Sequence, residues 1–396
     1  MAFRLFSRPQ DSVPVIERKA SATGRVAALA AGTGRVAWSA RDTGTLTRGG
    51  FIGNPVGFRA VRLIAEAAGA VPLICQDRAR RYDAHPVLEL LRRPNPGQGR
   101  AELFEALFGQ ILLSGNGYLE AVGVAAEGLP AELHVLRSDR MSVVPGEDGW
   151  PIAFEYAVGG RKHRFDMTGS HDPICHIKSF HPSDDHYGLS PLQAAAVAVD
   201  VHNSASAWSK ALLDNAARPS GAIVYKGPDG HGNLSAEQYD RLVIEMETHH
   251  QGARNAGRPM LLEGGLDWKP MGFSPSDMEF HETKQAAARE IAQAFGVPPM
   301  LIGIPGDATY ANYAEAHRAF YRLTVLPLVT RVAASVAWFL SEHLGAEVDL
   351  KPDPDQIPAL AEERDQHWAR VGAASFLTDA EKRAALGLPT LPTTEE

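Results

Sequence analysis

The stretch Ser276-Asp277-Met278-Glu279-Phe280-His281-Glu282-Thr283-Lys284-Gln285-Ala286-Ala287-Ala288-Arg289-Glu290-Ile291-Ala292-Gln293-Ala294-Phe295 decides the architecture. It opens with a Ser cap and a Glu three positions on, a pairing that satisfies two of the orphan amides of a helix start. Gly296-Val297-Pro298-Pro299 then ends the helix, because proline lacks the amide and clashes with the preceding turn. From Asp277 to Phe295 this is a rod about 28 Å long. Asp277, Glu279, Glu282 and Glu290 stand on it against Lys284 and Arg289, a net charge of −2.

Two upstream helices start with the same signal. Ser190-Pro191-Leu192-Gln193 opens one that runs to about Ala217, where Arg218-Pro219-Ser220-Gly221 breaks it. Ser235–Gln238 opens another, to about Gln251. A strand at Ala222–Lys226 lies between them. Pro259–Leu262 and Asp267–Met271, separated by Gly264-Gly265, read as a hairpin. Downstream, a Gly-rich loop at Gly303–Asn312 leads into a long helix over Tyr313–Leu344, which Pro327 should kink. A strand near Val348–Lys351 and small helices at about 359–373 and 379–386 follow.

Towards the N-terminus the pattern changes to mixed helix and strand. Helices are predicted at 54–70, at Pro86–Arg92 and at 100–113, the last stopped by Ser114-Gly115-Asn116-Gly117. Strands are predicted at Tyr118–Val124, Glu132–Leu136, Met141–Val144, Ile152–Val158 and Ile174–Lys178. Residues 1–49 hold eight Lys/Arg against three Asp/Glu and repeat Thr-Gly-Arg-Val-Ala at 23–27 and 33–37; they read as a loosely ordered basic arm, with order starting near Gly53. The fold class is α+β. Long helices with apolar residues on more than one side call for burial against neighbouring subunits.

Composition narrows the function. Of 396 residues 44% are hydrophobic and 22% charged, so the chain folds into globular units. A net charge of −8 excludes a generic basic nucleic-acid coat. Two cysteines, Cys75 and Cys175, make no disulfide framework and suit a reducing compartment. No apolar run approaches the roughly 18 residues a membrane span needs; Val332–Leu340 is half that. The charged N-terminus has no apolar core behind it, so no secretory signal is expected.

Enzymatic motifs fail one by one. There is no Gly-x-x-x-x-Gly-Lys-Ser/Thr and no Gly-x-Ser-x-Gly, and His281-Glu282 is followed by Gln285 where a zinc protease needs His. The polar cluster His171, Asp172, Cys175, His176, His181, Asp184, Asp185 and His186 supports a second reading, a metal-dependent hydrolase. The strand Ile174–Lys178 splits it, however, with His176 on one face and Cys175 on the other, and its spacings match no standard zinc site. No catalytic residue, metal or cofactor is assigned.

The order of short motifs is more specific. Ser114-Gly115-Asn116-Gly117-Tyr118-Leu119-Glu120 follows an apolar helix. His176-Ile177-Lys178 precedes Tyr187-Gly188-Leu189-Ser190-Pro191-Leu192. Asn215-Ala216-Ala217-Arg218-Pro219-Ser220-Gly221 precedes a strand, Ala294-Phe295-Gly296-Val297-Pro298-Pro299-Met300-Leu301-Ile302-Gly303 ends a helix, and Asn312-Tyr313-Ala314-Glu315-Ala316 follows. Over roughly residues 50–350 this series resembles the portal proteins of long-tailed bacteriophages, and it is similar to the portals of alphaproteobacterial gene transfer agents, which are phage-derived particles.

The resemblance implies a virion protein, assembled in the bacterial cytoplasm. It would form a ring, typically a dodecamer, at one capsid vertex beside the major capsid protein, around a channel for double-stranded DNA. No membrane is involved. It divides the chain into arm (1–49), wing (50–188), a helix entering the stem (189–217), clip (218–275), stem return (276–296), tunnel loop (303–312), a long kinked helix (313–344), a wing strand and linker (345–358), a short crown (359–390) and a tail (391–396). The clip would dock the large terminase subunit and later the head–tail adaptor, with Asp229, His231, Asn233, Glu237, Arg254, Asn255 and Arg258 as candidate contacts. Asp277, Glu279, Glu282, Lys284, Arg289 and Glu290 are the channel-lining candidates, and the tunnel loop would present Gly306, Asp307, Ala308, Thr309, Tyr310, Ala311 and Asn312. A lumen that passes DNA without holding it should be net acidic and narrowest around Thr309–Asn312.

Overall fold

The computed structural model describes residues 38–388 except 78–80, 83, 126–127, 170, 215–220, 226–234, most of 236–265, 271–279 and 307–309. A five-residue helix α1 (Thr43–Thr47) runs through a π-helical turn at Arg48–Ile52 into α2 (Pro55–Ala70). Then come β1 (Leu73–Gln76), β2 (Arg81–Tyr82), α3 (Pro86–Arg92), α4 (Arg100–Ser114) and β3 (Asn116–Val122). β4 (Glu132–Leu136), β5 (Met141–Pro145), β6 (Pro151–Val158), β7 (Arg161–Asp166) and β8 (Ile174–Lys178) complete the mixed half. α5 (Pro191–Ala194) and α6 (Ala196–Asp214) open the helical half, in which β9 (Gly221–Tyr225) and β10 (Leu266–Pro270) precede α7 (Phe280–Ala294). α8 (Tyr310–Phe320), α9 (Leu326–Leu344), β11 (Asp349–Pro352), α10 (Ala361–Ala373) and α11 (Asp379–Ala385) close the chain.

The main core is a helix sandwich. α2 buries Ala60, Val61, Ile64, Ala65 and Ala68, and α4 meets it with Leu103, Phe104, Leu107 and Phe108. α9 covers both with Val329, Val332, Ala333, Val336 and Leu340. Gly69 lets α2 and α4 close up, since a Cβ there would stand 2.8 Å from Ala101 O. Among the described residues the strands form four small antiparallel sheets, in the orders β11-β1-β2, β4-β3-β8, β5-β6-β7 and β10-β9. β8 serves two cores at once: Cys175 and Ile177 face the helices, while Ile174 joins Tyr118, Met141, Phe154 and Phe165 in a second cluster.

Several expectations are revised. The basic arm ends before residue 49, because Asp42 caps α1 through Thr45 N (2.9 Å) and Leu46 is buried. The strand expected at Asp267–Met271 is β10, but it pairs with β9; the Pro259–Leu262 half of the predicted hairpin lies outside the described residues, as does the Ser276–Glu279 cap. The kink at Pro327 takes the form of a π-helical turn at Tyr321–Val325, with Leu326 N bonded to Tyr321 O. The helical run Asn312–Leu344 is by length and composition long and apolar enough to cross a bilayer, although charged residues interrupt it so that no apolar run in it reaches 18 residues, and α9 buries Val329, Val332, Ala333, Val336 and Leu340 in the core.

One junction fixes how the mixed half meets the helical half. Gly115 ends α4 in a left-handed conformation (φ 78°) that glycine adopts without penalty. Its carbonyl accepts from Ser179 N at 2.8 Å, after β8. Asn116 Oδ1 accepts from Gly188 N at 2.8 Å, and Asn116 Nδ2 donates to Ser114 O at 2.9 Å. A Cβ on Gly188 would lie 2.1 Å from Gly115 O, and one on Gly115 would lie 2.3 Å from Gly188 O. Two residues later Ser190 caps α5, accepting from Gln193 N at 2.9 Å.

Gly188→Ala is therefore expected to destabilise the chain by on the order of 3 kcal/mol or more, the range of mutations that force backbone apart. Gly372→Ala, on α10 with open space around its Cα, should instead raise stability by about 0.5–1 kcal/mol. Thermal unfolding of the two variants measures both; a Gly188→Ala chain that melts like the parent would remove the junction from the account.

Candidate functional site

α6 and α7 pack side by side. Their contact is built from small residues: Ala198 and Ala205 on α6, and Ala287, Ala288 and Ala292 on α7, are buried, with Ile291 and Phe295 filling the seam. The opposite stripe of α7 exposes Glu282, Ala286, Arg289, Glu290 and Gln293. Lys284 is on the inner side, half-buried, where its charge adds to burial in lowering the pKa of His202. Arg289 donates to Pro305 O at 2.9 Å and so ties the helix to the following loop. Of the predicted channel-lining set, Glu282, Arg289 and Glu290 thus share one exposed face and Lys284 does not; Asp277 and Glu279 lie outside the described residues.

The helix pair is anchored at its base by a buried amide. Asn54 Nδ2 donates to His202 Nδ1 (3.1 Å) and Asn203 Oδ1 (2.9 Å), while Asn54 Oδ1 accepts from Val56 N and Gly57 N, each at 3.0 Å. All four hydrogen-bonding positions of that side chain are used. Sequence reading missed this network, although Asn54-Pro55 carried its cap signal.

After α7, Gly296 turns the chain at φ 67° and accepts from Thr324 Oγ1 at 2.5 Å. A 3-10 turn at Pro299–Ile302 follows, and Ile304 is buried with Ala288 and Ala292. Of the tunnel-loop candidates, Gly306 is exposed, Asp307, Ala308 and Thr309 lie outside the described residues, and Tyr310, Ala311 and Asn312 form the first turn of α8. The expected loop thus ends sooner than Asn312, because the backbone breakers Gly303, Pro305 and Gly306 all precede Tyr310. Arg318 on α8 pairs with Glu315 and with Glu362 of α10, both at 2.6 Å, and Arg322 pairs with Glu363 at 3.3 Å. α8 and the turn after it are thereby linked to α10.

Among the clip candidates, Glu237 is exposed at a helix start; Asp229, His231, Asn233, Arg254, Asn255 and Arg258 lie outside the described residues. Ser235 and Gln238 form the expected capping box, with Ser235 N donating to Gln238 Oε1 at 3.0 Å and Gln238 N to Ser235 Oγ at 3.2 Å.

The polar cluster at 171–186 does not converge. His171 stacks on His343 at 5.1 Å, His181 Nδ1 accepts from Ser183 N, and Asp184 Oδ1 caps His186 N and Tyr187 N. His176 stacks on its cross-strand partner Tyr118 at 4.4 Å with Phe154 edge-on. Among the described residues no group of three or more His, Cys, Asp or Glu is placed to hold a metal. Cys75 and Cys175 are both free and buried, and burial pushes their thiols up to about 11 and about 12 respectively, leaving them unreactive.

Comparison with known proteins agrees with this picture. The sequence profile of the phage portal protein family matches residues 55–387. The chain belongs to the phage portal protein family. A probable portal protein of Streptomyces phage phiC31 is 27% identical over 352 residues, covering 85% of this chain and 74% of the phage protein. An uncharacterized protein of Rickettsia bellii (strain RML369-C) is 40% identical over 342 residues, covering 85% of this chain and 87% of the relative. Among solved structures, a chain in the neck of a native gene transfer agent particle, computed with C12 symmetry, is 76% identical with a TM-score of 0.70, covering 94% of this chain and all (100%) of that one. The α+β portal fold is thus established, and the metal-dependent hydrolase reading has no support.

His176 gives this portal protein a defined acid response. Burial foremost, then the charges of Lys178 and His186, holds its pKa down to about 3. Ser114 O and Gly188 N fix the Asn116 amide, so His176 Nε2 donates to Asn116 Oδ1 at 3.1 Å and the ring is neutral. An unfolded histidine takes up a proton below about pH 6.5. The folded one does not, so stability is complete above that pH and falls between about pH 6.5 and 3 at up to about 1.4 kcal/mol per pH unit. His176→Gln, which retains an N–H donor, should flatten the fall when melting temperature is followed from pH 7 to 4; an unchanged slope would assign the acid response to other groups.

Proposed function

We propose that this portal protein forms the ring at one capsid vertex of a gene transfer agent particle. Twelve-fold assembly, double-stranded DNA moving through the central channel in packaging and in ejection, and a structural role are its features. The observation that carries this is the 76% identity, over 94% of the chain, to a chain in a gene transfer agent neck computed with C12 symmetry. The wing is 50–188 with the strand near β11, the stem is α6 and α7, the clip holds β9 and β10, and the crown is α10 and α11. The clip docks the large terminase subunit during filling and a head–tail adaptor afterwards; the major capsid protein surrounds the wing.

In this ring the exposed stripe of α7 faces the lumen. Glu282 and Glu290 then repeat around the channel, whereas Lys284 is turned inward and Arg289 is occupied by a backbone carbonyl. Acid on the wall repels the phosphate backbone and leaves no site for the counterion-releasing contacts that would hold it. The constriction falls at the first turn of α8, Tyr310–Asn312, within the span expected from the sequence.

End-on electron micrographs of the purified protein are expected to show a ring with an open centre; a particle of single-chain mass would end the proposal. The double variant Glu282→Lys/Glu290→Lys should still assemble but retain duplex DNA at low salt. Its log K against log salt should steepen by about one to two phosphate contacts per bound segment. Equal DNA retention by parent and variant would place this stripe away from the lumen.

A further inference from the structure

α4 has two working faces. Phe104 and Phe108 meet Val329 and Ala333 of α9 across the core. On its other side, Glu105, Ala106 and Gly109 line an open groove of about 500 Å³ between α4 and α2, facing away from α9. Glycine in a helix interior costs about 1 kcal/mol relative to alanine. A Cβ on Gly109 would meet nothing within 4 Å, so nothing among the described residues requires the side chain to be missing. The space it leaves is available to something outside the chain.

The far side of α9 offers a matching shape. Trp338 is 62% exposed there. Arg331, one heptad earlier on the same stripe, makes no ion pair among the described residues and reaches only Ser179 Oγ, at 3.5 Å. Glu105 in the groove likewise has no basic partner among the described residues. One face thus carries an exposed tryptophan at the rim of a shallow hollow on α9 and a cation with no ion pair among the described residues; the other carries a recess lined by Ala65, Gly97, Ala106 and Gly109 and by the anion Glu105, while the recess's own cation, Arg62, is engaged by Glu66. A ring of identical chains needs two different, complementary faces on each subunit, because its contacts are head-to-tail. Buried tryptophans are also the commonest energetic anchors of interfaces.

We propose that Trp338 of one subunit seats in the α2–α4 groove of the next, bringing Arg331 to Glu105. This rests on the ring reading above and names the two surfaces that close the ring. Both surfaces flank the core layer in which Phe104 and Phe108 of α4 meet Val329 and Ala333 of α9.

The test uses full-length chains and particle mass. Trp338→Glu removes the tryptophan and keeps the groove; Ala106→Trp fills the groove and keeps Trp338. Each alone should be monomeric with a melting temperature near that of the unassembled parent, and an equal mixture should give dimers and no rings. Rings from either folded variant, or a mixture that stays monomeric, would overturn the contact while parental rings keep the ring reading intact. A parent that forms no ring overturns both. Should either substitution prevent folding, charge exchange decides: Arg331→Glu and Glu105→Arg should each cut ring yield at least several-fold at low salt and restore it when combined. Failure of the double variant to recover counts against the proposal.

Discussion

Two backbone segments, at Gly115 and Gly188, lie so close that neither tolerates a β-carbon, and much of the molecule is arranged around that contact. It joins the end of α4, the first residue of β3, the chain leaving β8 and the entrance to α5 within a few ångströms. Asn116 supplies the polar half of the junction. Its amide oxygen accepts from both Gly188 N and His176 Nε2, so a loop and a strand are held by one atom. Because Ser190 starts the next helix two residues on, the direction in which α5 and α6 leave the mixed domain is set here.

A second polar anchor, Asn54 with His202 and Asn203, holds the other end of the same arrangement. Between the two anchors the helices meet through alanine and glycine. Gly57 approaches Gly50 so closely that a Cβ would lie 2.0 Å from its carbonyl oxygen, and the α6–α7 seam is largely alanine. Small side chains contribute little burial each, so this region gains stability from close backbone approach and saturated hydrogen bonds more than from large apolar volumes. The large apolar side chains are concentrated where α2, α4 and α9 meet.

What could be read in the sequence follows the same division. Features whose cause is local were legible: Pro86–Arg92 is found as predicted, Ser190 and Ser235 cap as predicted, and the two faces of Ile174–Lys178 separate as predicted. Features whose cause is distant were not. β1 exists because Asp349–Pro352, far along the chain, pairs with Leu73–Gln76. β7 reads Arg-Lys-His-Arg, with only Phe165 buried, and no apolar alternation announces it. β10 pairs with β9 across a long intervening segment, which no local hairpin signal could indicate. The order of charges along Ser276–Phe295 was plain, but which of them shared a face depended on where α6 packs. The polar residues at 171–186 looked like a ligand set by composition; in space Asp184 is spent on the amides of its own loop and His176 on a ring stack and Asn116.

The disposition of cations bears on the proposed passive channel wall. A surface that must let a polyanion slide needs few unengaged Lys or Arg, since each phosphate it neutralises adds to the hold. Along the path from α7 to α8, Lys284 is turned against α6, Arg289 is bonded to Pro305 O, Arg318 lies between Glu315 and Glu362, and Arg322 pairs with Glu363. Exposed ion pairs of this kind contribute little to stability. Their effect is on the surface potential: each guanidinium is partly neutralised by a neighbour within the chain, while Glu282 and Glu290 have no basic partner among the described residues. On that proposal, the wall's net acidity comes less from an excess of acids than from the way the bases are occupied, so it would persist where the local count of acids and bases is nearly even.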